Sequence, residues 1–178
     1  VVTYDKDKCF GCRYCQVACP FSIPKFEYGK AKPKIIKCQL CHHRYDDGGY
    51  AACCEFCPTG ASIFGKVSDL QAEAKRRLTF KAGTDYDYPV QRIDSKKTLA
   101  QKASGYYDHI YGLDEAGGTQ YLVMAGVSFD KLGFNPGITD MNYPTLTWNY
   151  ISKVPYLIGA LLIAGTACHI ATKGKDKD

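Results

Sequence analysis

No enzymatic constellation is written into these 178 residues. Ser, His and Asp do not fall in a hydrolase pattern, there is no phosphate loop, and no open metal site is visible. The sequence therefore excludes, as an expectation, substrate turnover by the chain's own residues. A strong charge of one sign is also missing. The 23 Lys and Arg against 18 Asp and Glu give a formal net charge of only +5, too mild an excess to read as a nucleic-acid footprint. The opening Val1-Val2-Thr3-Tyr4-Asp5 carries neither a Met nor a signal-peptide pattern. It reads as a strand running into a loop. It implies either a processed chain or a longer protein whose N-terminal part is absent.

What the chain has in abundance is cysteine, ten in all. Cys9-x-x-Cys12-x-x-Cys15-x-x-x-Cys19-Pro20 is the bacterial-ferredoxin run. Three thiolates two residues apart wrap three corners of one [4Fe-4S] cubane from a single loop. Gly11 lets the backbone curl close enough for amide N–H groups to face sulfur. The fourth cysteine is carried past to a different cluster, and Pro20 turns the chain away. Zinc knuckles use two cysteines each and do not need this pattern. Disulfides between such close cysteines would close strained rings. Two oxidised clusters, each about −2 with its thiolates, would offset most of the excess positive charge.

The run is duplicated. Cys15 and Cys19-Pro20 recur 38 positions later as Cys53 and Cys57-Pro58, while Cys9 and Cys12 recur 29 positions later as Cys38 and Cys41. The second copy thus carries a nine-residue insertion between Cys41 and Cys53. Self-similarity of this kind points to a pseudo-twofold unit. The predicted iron ligands are Cys9, Cys12, Cys15, Cys19, Cys38, Cys41, Cys53 and Cys57. Cys54 competes with Cys53, but only Cys53 keeps the 38-residue shift, so Cys54 is expected to be a buried thiol. Cys168 is expected to pack in the apolar segment. His42 and His43 sit in the finger, where all four ligand places are already filled, and are expected at the surface.

The fold class expected is α+β: a bacterial-ferredoxin-like double-cluster domain of short strands and helices, with one C-terminal transmembrane helix. Residues 1–66 form the cluster domain and residues 67–148 a helix and irregular extension covering it. Residues 149–172 form the membrane helix and residues 173–178 a charged tail. In the extension, Ser68 and Gln71 read as a capping box. Leu70, Ala74 and Leu78 mark one helix face, and Gly83 a stop. The loops implied by Gly112, Gly117 and Gly118 precede an expected short buried strand over residues 121–125. Residues 154–172 contain no Asp, Glu, Lys or Arg. At about 1.5 Å per residue they nearly cross a bilayer core of about 30 Å. Trp148, Tyr150 and Tyr156 mark an aromatic belt at its start. Lys173, Lys175 and Lys177 follow it, against Lys153 alone on the near flank, which places the tail in the cytoplasm. Gly159, Ala160, Ala164, Gly165 and Ala167 offer a small surface for helix packing. His169 reads either as an interfacial side chain or as one near a partner's haem or quinone.

The string Cys9-Phe10-Gly11-Cys12-Arg13-Tyr14-Cys15-Gln16-Val17-Ala18-Cys19-Pro20-Phe21, with Ile23-Pro24-Lys25, resembles the third cysteine motif of four-cluster electron-transfer subunits. Lys37-Cys38-Gln39-Leu40-Cys41 and Cys57-Pro58-Thr59-Gly60-Ala61 resemble the fourth. Glu73-Ala74-Lys75-Arg76-Arg77-Leu78, Tyr86-Asp87-Tyr88-Pro89 and Gly117-Gly118-Thr119-Gln120 look most like the ferredoxin-type subunit of hydrogenase-2-type [NiFe]-hydrogenases. The relationship extends to formate dehydrogenases and other molybdoenzymes. Ala51 departs from that pattern, where a Pro is usual. The resemblance implies an electron wire in the bacterial inner membrane, with its clusters on the periplasmic side. A catalytic hydrogenase or molybdoenzyme subunit feeds it, and a multi-spanning quinone-reactive subunit drains it. The same role beside a multihaem cytochrome, or an assembly module whose clusters only staple the fold, are the alternatives. The family's first two motifs are missing here. Either they supply the remaining thiolates from outside this sequence, or the two copies pair with each other. Pairing would put Cys9, Cys12, Cys15 and Cys57 on one cluster and Cys38, Cys41, Cys53 and Cys19 on the other.

Overall fold

Ligand cysteines every three residues leave no room for a periodic apolar face, and the elements around them are correspondingly short. A computed structural model describes residues 2–173. Helix α1 is Tyr14–Ala18, and strands β1 (Lys25–Phe26) and β2 (Ile35–Ile36) form an antiparallel hairpin with Phe26 opposite Ile35. A 3-10 turn at His42–Arg44 and helix α2 (Ala52–Glu55) carry the second cysteine copy. Then come β3 (Ile63–Phe64), α3 (Val67–Leu78), β4 (Asp85–Pro89), β5 (Gln91–Arg92) and β6 (Thr98–Lys102). β3 pairs with β5 in parallel and β4 with β6 antiparallel. The content is mixed α and β, as expected. The start is not a strand. Residues 2–5 form no regular element, and Asp5 instead accepts the Cys9 N–H in a turn (3.1 Å); Val1 lies outside the described residues.

Helix α3 exists as expected, but both of its ends differ. Lys66 is the N-cap, with no side-chain cap, and Ser68 lies inside the helix, donating to Asp69 Oδ1 (3.0 Å). A neighbouring carboxylate has taken the hydroxyl that would have capped. The helix stops at Thr79, whose N–H and Oγ1 both donate to the Arg76 carbonyl (3.1 and 2.7 Å). Gly83 comes four residues later, and its N–H donates to Ala103 O (2.8 Å) at the base of the β4–β6 hairpin. The inward face carries Leu70 and Ala74 but also a buried ion pair. Glu73 Oε1 accepts from Arg77 Nε (2.8 Å) and from Tyr86 OH (3.0 Å), and Oε2 from Arg76 Nε (3.2 Å). The Arg77 guanidinium lies 4.8 Å from the centroid of the Tyr88 ring, a π face that suits a cation short of acceptors.

Residues 103–139 close on an aromatic cluster. Tyr111, Phe129 and Ile138 are buried, with Phe21, Val123 and Phe134 packed against them. Phe134 meets Tyr111 edge-on at 4.7 Å, and Phe21 does so at 6.0 Å, the offset geometry that ring quadrupoles favour. The buried strand expected over residues 121–125 is not formed. Only an isolated bridge joins Tyr111 and Val123. Thr119 turns the chain back by donating its N–H to Gly112 O (2.8 Å). Gly112, at φ +94, lies so close to Tyr121 O that a Cβ would come within 2.3 Å. Strand pairing cannot extend past such a crossing.

Residues 140–173 form a second unit, described by itself. It contains α4 (Tyr143–Ile151) and α5 (Val154–Lys173). Pro155, with no N–H, sits in the first turn of α5, where that donor has no helical partner in any case. Tyr143–Lys173 is long and apolar enough to cross a membrane, and none of its most apolar stretch is buried by the chain. Trp148, Tyr150 and Tyr156 are exposed, as are Leu157, Leu161, Leu162 and Ile163. Core helices of soluble domains bury such side chains. Cys168 and His169 are exposed on α5 as well, so the expected packing of Cys168 is not met within the chain. Lys175 and Lys177 lie outside the described residues.

Candidate iron-sulfur centres

The first loop is shaped by two residues with left-handed backbone. Gly11 has φ +80, and a Cβ there would sit 2.5 Å from Pro33 Cδ, so only glycine fits. Arg13 at φ 62 then opens α1. Cys12 and Cys15 are exposed, while Cys9 and Cys19 are half-buried. The β1–β2 hairpin braces the loop. Tyr28 OH donates to Gln16 Oε1 (2.9 Å), and the Arg13 guanidinium lies 4.9 Å from the Tyr28 ring centroid.

The second loop uses the same device at the matching position, since Leu40 stands 29 residues after Gly11. Leu40 and Cys41 have φ 50 and 52, and the Leu40 N–H donates to Cys38 Sγ (3.4 Å). Tyr45 OH donates to Leu40 O (2.7 Å). Its phenol is pushed above the usual range by partial burial, then by the Cys41 and Cys38 sulfurs. The inserted finger is tied down by Arg44, which donates to Tyr50 O (2.9 Å) and pairs with Glu55 on α2. Gln91 Nε2 adds a bond to Glu55 O (2.8 Å). His42 is half-buried and His43 exposed.

Cys38, Cys41 and Cys53 line one cavity of about 780 Å³ together with Cys54; Cys9, Cys12, Cys15, Cys19 and Cys57 do not line it. Among the described residues, no three His, Cys, Asp or Glu side chains converge as a ready-made metal site. The adjacent cysteines of α2 differ sharply. Cys53 is exposed, and Cys54 is 7% exposed with its sulfur 4.0 Å from that of Cys53. Burial first, and then the Cys53 sulfur, pushes the Cys54 thiol up to about 12. Cys57 moves the other way, down to about 7. The Ser62 N–H is the largest cause, followed by the Thr59 hydroxyl 3.6 Å away, with the Thr59 and Ala61 N–H groups behind them. A sulfur so surrounded by donors suits a metal-bound thiolate. The donor set of the second loop, thiolates with N–H groups aimed at the Cys38 and Cys57 sulfurs, fits an iron–sulfur cubane.

Residues 1–67 match the 4Fe-4S dicluster domain family. The dicluster domain is accordingly the cofactor-binding part of the chain, and [4Fe-4S] is its cofactor. Over most of its length the chain is similar to a hydrogenase-2 operon protein. It is 46% identical over 146 residues to the hydrogenase-2 operon protein HybA of Escherichia coli O157:H7, covering 80% of this chain and 44% of that protein. A protein of Nitratidesulfovibrio vulgaris is 36% identical over 177 residues, 99% of this chain and 42% of its own length. The formate dehydrogenase iron-sulfur subunit of Haemophilus influenzae is 36% identical over 87 residues, 49% of this chain and 27% of that subunit. This chain thus spans less than half the length of each. No solved structure matches it significantly.

The eight ligand candidates were readable from spacing alone. Thr59, Arg44, Glu55 and Gln91 were not singled out for any role at the site. The Thr-Gly pair after a Cys-Pro ligand was the available signal for Thr59, since Gly60 adopts φ +66 there.

Proposed function

We propose that this chain is a membrane-anchored electron wire. It passes single electrons through [4Fe-4S] clusters between a catalytic oxidoreductase subunit, a hydrogenase, and a multi-spanning quinone-reactive subunit. The observation that carries this is the union, in one chain, of a duplicated cubane-binding loop with an exposed apolar helix of membrane-crossing length. Cys9, Cys12 and Cys15 hold three corners of one cluster, and Cys38, Cys41 and Cys53 three corners of another. Cys19 and Cys57 cross to clusters other than those of their own loops. The fourth corner of each cluster comes from Cys57 and Cys19, or from cysteines outside these 178 residues. When bound, the clusters supply one-electron redox chemistry. The chain's own residues hold them, and the second loop aims N–H groups at the Cys38 and Cys57 sulfurs. With every ligand place filled by cysteine, no iron is left open for substrate.

A hydrogenase partner is preferred to a molybdoenzyme because the likeness to HybA runs through 80% of the chain, well beyond the cluster domain, whereas that to the formate dehydrogenase subunit covers 49%. The cluster domain lies on the periplasmic side, with the tail after Thr172 in the cytoplasm. Lys173, Lys175 and Lys177 against Lys153 support this sense. Affinity purification from detergent-solubilised membranes is the test. A hydrogenase large subunit and a polytopic membrane protein are expected to co-purify, and the bound clusters to re-oxidise when quinone is added. Recovery with a molybdenum subunit instead would reassign the donor. Protease treatment of spheroplasts tests orientation, since a protected cluster domain with a cleaved tail would reverse it.

A further inference from the structure

The two copies of the cluster loop differ in the side chain that follows their Cys-Pro ligand. Two positions after Cys57 stands Thr59, and its hydroxyl oxygen lies 3.6 Å from the Cys57 sulfur. Two positions after Cys19, the matching place in the repeat, stands Phe21. Its ring points away into the aromatic cluster, edge-on to Tyr111 at 6.0 Å. Among the described residues, Cys57 is the one predicted ligand whose sulfur meets a side-chain hydroxyl. Cys38 meets only the Leu40 N–H (3.4 Å), and Cys53 meets only the Cys54 thiol.

A sulfur bound to iron carries no proton, so in the loaded protein the Thr59 hydroxyl is the donor. Hydrogen bonds to an ionised acceptor are stronger than neutral ones. One reduction step adds a single electron and breaks no bond. It increases the negative charge on the cluster sulfurs, so the bond strengthens on reduction and favours the reduced form.

We propose that Thr59 raises the reduction potential of the cluster ligated by Cys57 above that of the cluster ligated by Cys19, through a hydroxyl bond that Phe21 cannot make. The fold holds Thr59 there. Its loop runs directly into β3, which is fixed by parallel pairing with β5, and Gly60 at φ +66 lies against Val90 with only 3.2 Å to spare for a Cβ. The effect is a built-in gradient, with the Cys57 site as the electron sink of the pair. Thr59 is a positioning residue that acts through Cys57.

The inference rests on the reading of Cys57 as a ligand, and the two are separable. The test is a redox titration of the anaerobically purified complex followed by electron paramagnetic resonance, on the wild type, Thr59→Val, Thr59→Ala and Thr59→Ser. Removing the hydroxyl is expected to lower the midpoint of one cluster while the others hold. The shift expected is about tenfold in the reduced-to-oxidised ratio at fixed potential, about 59 mV for a one-electron couple. Thr59→Ser is expected to restore the wild-type value. Unchanged potentials in both Val and Ala variants, with clusters present, would overturn the proposal. So would loss of iron in both, which would make Thr59 a structural residue only. Full iron retention in Cys57→Ser would instead overturn the ligand assignment itself.

Discussion

The first and second cysteine loops begin from the same ligand pattern and arrive at different surroundings. The first is short, seated on a hairpin through Pro33 and Tyr28, and it leaves its neighbours Phe10, Tyr14 and Val17 exposed. The second carries a finger closed by Arg44, a buried cysteine beside a ligand, and a sulfur encircled by donors. The difference teaches that a repeat fixes how many thiolates there are and how they are spaced. The inserted and flanking residues then set how exposed, how basic and how well solvated each sulfur is.

The sharpest way to break the comparison is at its register. Cys53→Ser is expected to lose or convert a whole cluster, because only Cys53 matches Cys15 in the repeat. Cys54→Ser is expected to leave the iron content as it was. Iron analysis of both purified variants checks this, and the reverse pattern would place the ligand at Cys54.

A glycine swap compares the two loops directly. Gly11 and Gly48 both have positive φ, +80 and +72, but only Gly11 faces a wall, Pro33. Gly48→Ala is expected to cost about 1 kcal/mol for the left-handed backbone alone. Gly11→Ala pays that and must also displace the hairpin, for about 3 kcal/mol by analogy with overpacked sites. Denaturant unfolding of both variants reads the difference. Equal losses would mean that the hairpin does not brace the first loop.

Acidity separates the neighbours within the second loop. The folded pKa of Cys57 is lowered from 9.0 to about 7, so its contribution to stability is complete above pH 9 and is lost as pH falls through 7. That of Cys54 is raised to about 12, so its contribution is complete below pH 9 and is lost as pH rises through 12. In iron-free protein, alkylation of Cys57 is expected to switch on around pH 7, with Cys54 inert until far higher pH. Residue-resolved mass spectrometry after a pH series checks it. The smallest effect is expected at the finger. Glu55→Gln removes a partly exposed pair with Arg44 (29% and 32% exposed) and should cost about 1 kcal/mol, measurable as a small fall in melting temperature with iron content intact.

Much of the fold and of the site is legible in the sequence. Cysteine spacing is a local signal that no packing overrides, so the duplicated loop and its dicluster character could be read directly. Uncharged length is equally local, and α5 (Val154–Lys173) covers the uncharged run of residues 154–172, while residues 149–151, expected in the same helix, belong to α4. The misses share a cause. Ser68 was a plausible cap until Asp69 beside it took its hydroxyl, and residues 121–125 looked like a strand until Gly112 and Thr119 brought the chain across itself. Both outcomes depend on partners that the pattern does not name. The Leu70, Ala74 and Leu78 periodicity names no polar partner, yet Glu73 and Arg77 are buried beside it because each neutralises the other under Tyr86 and Tyr88. The role of Thr59 was invisible for the same reason, since a hydroxyl next to a ligand means little until its distance to sulfur is known.

The central claim is that this chain carries electrons on [4Fe-4S] clusters. It is tested most directly by iron and inorganic-sulfide analysis of the anaerobically purified protein, combined with a reductive titration followed by electron paramagnetic resonance. The account predicts iron and sulfide in equal amounts, about four of each per cluster, and reversible one-electron reduction. Zinc in place of iron, cysteines paired as disulfides, or clusters that stay oxidised across the whole accessible range of potentials would contradict it.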